Sequence, residues 1–183
     1  MTVIGIVGKK FSGKDTCADF LIENFYFKKF SFANGLKQVC KVAFLLSDTQ
    51  LHDPLHKEIV DKRWGKTPRE LMQIVGTDLF RTHFDRTMWL KRLEMELEAL
   101  PVRQDVVIPD VRFENEYRFV QEYAQKKGVP CFMIYIERDC EKHDLHSSEN
   151  FEWLENYKNS LNVIENNSTF ADFYEKIQNI LKN

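Results

Sequence analysis

The chain has 183 residues, 43% hydrophobic and 30% charged, with a formal net charge of −2. That is ordinary composition for a folded globular protein, sized for one domain with a real core or one core plus a lid. It excludes the basic footprint of a nucleic-acid-polymer binder, and no apolar run approaches a membrane span.

Val3 to Val7 is an apolar run of strand length, placed so early that no signal peptide is expected before it. The run ends in Gly8, crosses Lys9-Lys10-Phe11-Ser12, and reaches Gly13-Lys14. A helical pattern then starts at Asp15 and carries Ala18, Phe20, Leu21, Ile22 and Phe25. Strand, glycine loop and helix in this order form the context of a phosphate loop. Its backbone N–H groups converge on an anion, and the helix start adds its positive dipole end. Lys14 would reach the β- and γ-phosphates of a nucleotide. The hydroxyl residue comes one place later than in the strict motif, at Thr16, with Asp15 between. Gly-Lys-x-Thr is the form that many nucleoside-monophosphate kinases carry.

Tyr26 to Phe32 reads as a second strand. Asn34-Gly35 reads as a turn before a helix through Leu36, Val39, Cys40 and Phe44. Lys37, in the first turn of that helix, is either part of a solvated face or a phosphate contact at the mouth of the sheet. Residues 47–65 are polar, with a short helix expected over 54–62; there His52 and His56 would share a face as a surface pair. Pro68 opens a helix that Gly76 should stop. Thr77 or Asp78 would cap the next one, and a third runs from 87 to 100. A helical insertion over 47–100 without strands belongs at the carboxyl ends of a parallel sheet, over a substrate.

Val106 to Ile108 is a buried-strand run, and Asp110 follows at the position where a phosphate-loop protein holds Mg²⁺ or an acceptor hydroxyl. Arg112 can fork a phosphate, or pair locally with Asp110. A helix is expected over 114–127, carrying Glu116 in its first turn and closed by Gly128. A strand is expected over 129–136, and then a charged lid over about 138–150. Cys140, His143 and His146 in the lid have a spacing that no common metal site uses. A last strand over 161–164 precedes a helix capped by Ser168. The four cysteines, with no Cys-x-x-Cys pair, read as reduced thiols of a cytoplasmic protein. The fold class read from this order is α/β, one phosphate-loop domain spanning 1–183.

Four blocks resemble the phage-type deoxynucleoside-monophosphate (dNMP) kinases. They are Lys10 to Phe20; Arg69 to Leu79 with Phe84-Asp85-Arg86 and Trp89; Ile108 to Arg112 with Glu116; and His146-Ser147-Ser148-Glu149. The Leu-Met-Gln-x-x-Gly-Thr-Asp-Leu string is the most specific. The resemblance implies a sheet of about five parallel strands flanked by helices, Mg·ATP as donor and a dNMP as acceptor, with no nucleic-acid polymer or membrane as partner. It implies that Lys10, Lys37, Arg69, Gly76, Trp89, Asp110, Arg112 and Glu116 surround the acceptor. Gly8, Ser12, Gly13, Lys14, Asp15 and Thr16 would hold ATP phosphates, with Thr16 and Asp15 the candidate Mg²⁺ contacts and Arg138 on the adenine side. Lys14, Arg112 and Asp110 would serve the transfer itself. Trp89 would offer an indole face to a base or sugar and exclude a 2′-hydroxyl. Residues 47–65 are shorter than the insertion of some members, and Cys17 and Glu70 replace residues those members carry, so the base is left open. A homodimer is suggested by the family and by spare apolar residues on the insertion. The alternatives are a kinase for another small phosphorylated acceptor, of phosphomevalonate or dephospho-coenzyme A type, or a nucleotide-dependent switch.

Overall fold

A computed structural model of the chain describes residues 1–101, 103–139 and 151–182. The chain divides into two compact units. One comprises Met1–Ser31 and Glu98–Asn183, the other Phe32–Leu97. The helical unit thus begins at Phe32, earlier than the expected insertion at 47, and includes the whole of the helix that follows.

The first unit is built on a five-stranded parallel sheet. Its strands are β1 (Val3–Val7), β2 (Lys28–Lys29), β3 (Val106–Val111), β4 (Cys131–Glu137) and β5 (Asn162–Glu165), in the order β2-β3-β1-β4-β5. Every residue of central β1 is buried, which is why it reads as an unbroken apolar run: a parallel strand covered on both faces shows no alternation. Helices α1 (Lys14–Phe25), α6 (Glu114–Lys127) and α7 (Phe170–Lys182) belong to this unit. Cys17, Phe20 and Leu21 of α1 join Ile4, Ile6, Ile134, Phe173 and Ile177 in one core. The second strand is only two residues long. β3 runs three residues further than the apolar run alone suggests, and the β1–β3 register shifts between Gly5 and Val7 so that Val7 pairs with Val111. Pro109, which cannot donate to a ladder, falls in that irregularity. The N-terminus of α7 is served by Thr169, whose Oγ1 accepts from the Asp172 N–H at 3.3 Å, while Ser168 donates to the Asp172 carboxylate. The expected cap therefore moves by one residue.

The second unit is helical: α2 (Ala33–Phe44), α3 (Asp48–His52), a 3-10 turn over His56–Glu58, α4 (Pro68–Gln73), a π-helical segment over Ile74–Phe84, and α5 (Met88–Glu98), whose last residue falls in the first unit. Cys40, Leu46, Leu51, Leu71 and Val75 form its core. Three expectations are corrected here. Asn34-Gly35 lies inside the first turn of α2, with the Arg92 side chain packed 2.5 Å from where a Gly35 Cβ would stand. His52 and His56 sit on separate elements: His52 accepts from Lys37 Nζ at 3.3 Å, and His56 Nδ1 lies 2.8 Å from Asp53. Gly76 does not end a helix, since the chain winds on through it in the wider π form. The Leu36 side chain packs 2.6 Å from where a Cβ at Gly76 would stand, so the position is one of close packing rather than a stop. The start of α4 is as expected, with Pro68 at its first turn and a reciprocal cap between Thr67 and Glu70.

Candidate active site

The loop from Gly8 to Gly13 joins the carboxyl end of β1 to α1. Its backbone is far from relaxed: Phe11 has φ 66° and Gly13 has φ 108°. Left-handed backbone at a bulky residue costs about 1–3 kcal/mol and persists where surroundings enforce it, often at ligand sites. Gly8 is required for closeness, because a Cβ there would sit 2.5 Å from Ser12 Oγ and 2.7 Å from the Ile136 carbonyl. Ser12 is fully buried, and its Oγ has no hydrogen-bond partner among the described residues. Lys14, in the first turn of α1, turns back across the loop and donates to the Gly8 and Lys9 carbonyls, each at 2.6 Å. Lys10 Nζ stands 5.0 Å from the centre of the Phe11 ring. Asp15 is held by Lys29 at 2.9 Å with its side chain 82% exposed, and Thr16 follows it, half-buried.

At the carboxyl end of neighbouring β3, Asp110 accepts from Ser31 Oγ at 2.6 Å. Ser31 closes the segment after β2, near the end of the run that the sequence reads as a second strand. Arg112 follows β3. Its backbone N–H donates to Glu116 at 2.7 Å, and so does that of Phe113 at 3.1 Å. Glu116 is 2% exposed; it is a buried carboxylate fixing the turn on which Arg112 is carried. Arg138, just past β4, is exposed. The rest of the expected lid, with Cys140, His143, His146 and the His146-Ser147-Ser148-Glu149 block, lies outside the described residues. Asn166, past the end of β5, is a site residue that sequence reading missed: its Nδ2 donates to the Ser12 carbonyl at 2.8 Å. Its place at the carboxyl end of a parallel strand is the signal that could have found it.

In the helical unit Arg69, in the first turn of α4, donates to Glu58 at 2.7 Å. Lys37 meets His52, whose pKa is held below the ordinary imidazole value first by burial and then by the charge of Lys37. Trp89 differs from expectation. It is 3% exposed, its Nε1 donates to the Gly76 carbonyl at 3.0 Å, and Phe80 packs edge-on at 5.2 Å between ring centres. A buried indole needs a partner for its N–H, and Gly76 supplies one. Trp89 therefore holds Gly76 in place instead of presenting an open face.

The five-stranded parallel sheet, with the strained glycine loop turning into α1 at the end of its central strand, defines a phosphate-loop kinase fold. The same fold is seen in APS kinase CysC of Mycobacterium tuberculosis, solved in complex with AMPPNP and APS, at a TM-score of 0.53 and 10% identity over 100% of this chain and 98% of that one. At the level of sequence the likeness is more specific. The chain belongs to the deoxynucleotide monophosphate kinase family, whose profile matches residues 2–61 and 51–177. It is 38% identical to a putative deoxynucleotide monophosphate kinase of Acanthamoeba polyphaga mimivirus, over all of this chain and 97% of that protein. It is 30% identical to the deoxynucleotide monophosphate kinase of Enterobacteria phage T4, over 67% of this chain and 48% of that protein.

Proposed function

We infer that this protein transfers the γ-phosphate of ATP to a deoxynucleoside monophosphate, giving the diphosphate for DNA-precursor synthesis. The observation that carries the reading is the strained phosphate loop, in a chain related from end to end to a protein named for this activity. An oxygen of the acceptor phosphate attacks the γ-phosphorus in line with the leaving ADP oxygen. That oxygen is already ionised at neutral pH, so no general base is required. The loop N–H groups and Lys14 bind the donor phosphates, and Arg112 stabilises charge on the transferring group. Asp110, oriented by Ser31, fixes the acceptor end of the sheet. Arg69 and Lys37 are the cations that the helical unit contributes to acceptor binding, with Lys10 a further one from the loop. Trp89 serves the packing of the helical unit, by holding Gly76, and not acceptor binding. Arg138 serves the adenine side.

The oxygen donors Thr16 and Asp15 suit Mg²⁺, a hard cation that prefers carboxylates, hydroxyls, waters and substrate phosphates. When bound with ATP, Mg²⁺ would neutralise charge on the phosphate oxygens. A cytoplasmic location is part of the same reading, supported by the free thiols Cys17, Cys40 and Cys131; so is a homodimer, supported by exposed Val42, Leu45 and Leu55 on the helical unit.

The test is ADP release from Mg·ATP with each of the four dNMPs beside the four ribonucleotides. Turnover with deoxy acceptors is the expected result, and Lys14→Ala should remove most of it while leaving the fold intact. Retained wild-type turnover in Lys14→Ala, or turnover with no acceptor at all, would overturn the reading.

A further inference from the structure

Asn166 directly follows β5, and its side chain leaves its own strand to meet the phosphate loop. Its Nδ2 donates to the Ser12 carbonyl at 2.8 Å, between residues 154 apart in the chain. Its backbone N–H donates to the Glu137 carbonyl at 2.8 Å, which anchors the residue to the end of β4 as well. The loop is fitted to it: a Cβ on Gly13 would come within 2.5 Å of Asn166 Nδ2. The next residue strengthens the anchorage, since the Asp139 N–H donates to Asn167 Oδ1 at 3.1 Å and Asn167 Nδ2 donates to Asp139 at 3.2 Å.

The peptide unit between Ser12 and Gly13 is planar, so its carbonyl and its N–H point in opposite directions. Holding the carbonyl toward Asn166 turns the Gly13 N–H away from Asn166, to the other side of the loop. An anion-binding loop needs its N–H groups turned to the ligand and its carbonyls turned away. Were this peptide to flip, a carbonyl oxygen would face the phosphate where a donor should be. Glycine makes such a flip cheap, because it populates both signs of φ. Gly13 therefore depends on a hold from outside its own loop.

We propose that Asn166 is a positioning residue for donor binding, its amide latching the Ser12–Gly13 peptide in the orientation that receives the polyphosphate of a nucleotide. The proposal rests on the phosphate-loop reading above and deepens it. It separates two properties of the side chain, its size and its N–H donor. Asn166→Asp keeps the size and, ionised, cannot donate; Asn166→Ala removes both.

The experiment measures Mg·ADP binding by titration calorimetry, together with KM for ATP and for the dNMP that the wild type turns over. Both variants should weaken Mg·ADP binding and raise KM for ATP by about tenfold, the scale of one lost hydrogen bond. KM for the dNMP should stay near that of the wild type. Wild-type affinity for Mg·ADP in Asn166→Asp would overturn the proposal, because filling the space would then suffice. Equal rises in both KM values would overturn it too, as the mark of general loosening. Failure of the wild type itself to bind Mg·ADP would instead sink the phosphate-loop reading on which the proposal stands.

Discussion

At the scale of single residues, burial marks the side chains that hold others in place. Cys17 lies in the core beneath the phosphate loop, and burial pushes its thiol up to about 12. It is packing, with no nucleophilic role at neutral pH. Trp89 is the sharper case, since the family resemblance suggests an exposed indole and the structure shows one whose N–H is engaged by Gly76. Trp89→Phe removes that hydrogen bond and part of the packing, and should cost about 1–3 kcal/mol of stability. Chemical denaturation would read the loss, and KM for the dNMP in the same variant should change little. An unchanged stability with a large rise in KM would mean that the indole touches the acceptor after all.

At the scale of elements, the segment between α3 and α4 is organised by one acid. Asp61 is 8% exposed, accepts from Gln50 at 3.0 Å and from the Arg63 guanidinium at 2.9 and 2.6 Å, and begins a turn closed by its bridge to Lys66. Arg63 first, and Gln50 next, hold its carboxyl well below the usual carboxylate range. A group whose folded pKa is depressed stabilises the fold above its unfolded pKa, about 3.9, and that contribution is lost as pH falls from there toward the folded value. Asp61→Asn should therefore melt earlier than the wild type at pH 7, with the gap closing below about pH 4. Thermal melts of the two proteins across that range test it, and a gap independent of pH would remove the carboxylate from the account. The sequence shows this stretch only as polar residues with a helical possibility, because nothing local announces that Asp61 is buried.

For the whole molecule, the division into a sheet unit and a helical unit follows the chemistry of the two halves. The sheet unit carries the loop, Asp110 and Arg112; the helical unit carries Lys37, Arg69 and exposed apolar side chains. Val42 is 78%, Leu45 70% and Leu55 77% exposed, which is the support for a homodimer. In a homodimer the melting temperature rises with protein concentration, because association is linked to folding by mass action. Melts over a hundredfold range of concentration should show that rise, and Leu45→Glu with Leu55→Glu should abolish it. A flat profile in the wild type, with a monomer mass by sedimentation, would exclude the dimer.

Read alone, the sequence determined the features that a few consecutive residues encode. The β1–loop–α1 unit, the buried strands β3 and β4, the start of α4 at Pro68 and the closure of α6 at Gly128 all rest on short-range signals, namely apolar runs, a fixed φ and a glycine end. The order of those signals was enough to expect a parallel sheet and a phosphate loop, and the four motif blocks were enough to suggest the family. Tertiary structure alone decided what happens between distant segments. Asn166 reaches Ser12 across 154 residues and Ser31 reaches Asp110 across 79. Gly35 and Gly76 lie packed against the side chains of Arg92 and Leu36, where local reading saw a turn and a helix stop. Those contacts depend on which strand lies beside which and how closely two helices approach, and such distances are set by packing, which no short stretch of sequence carries.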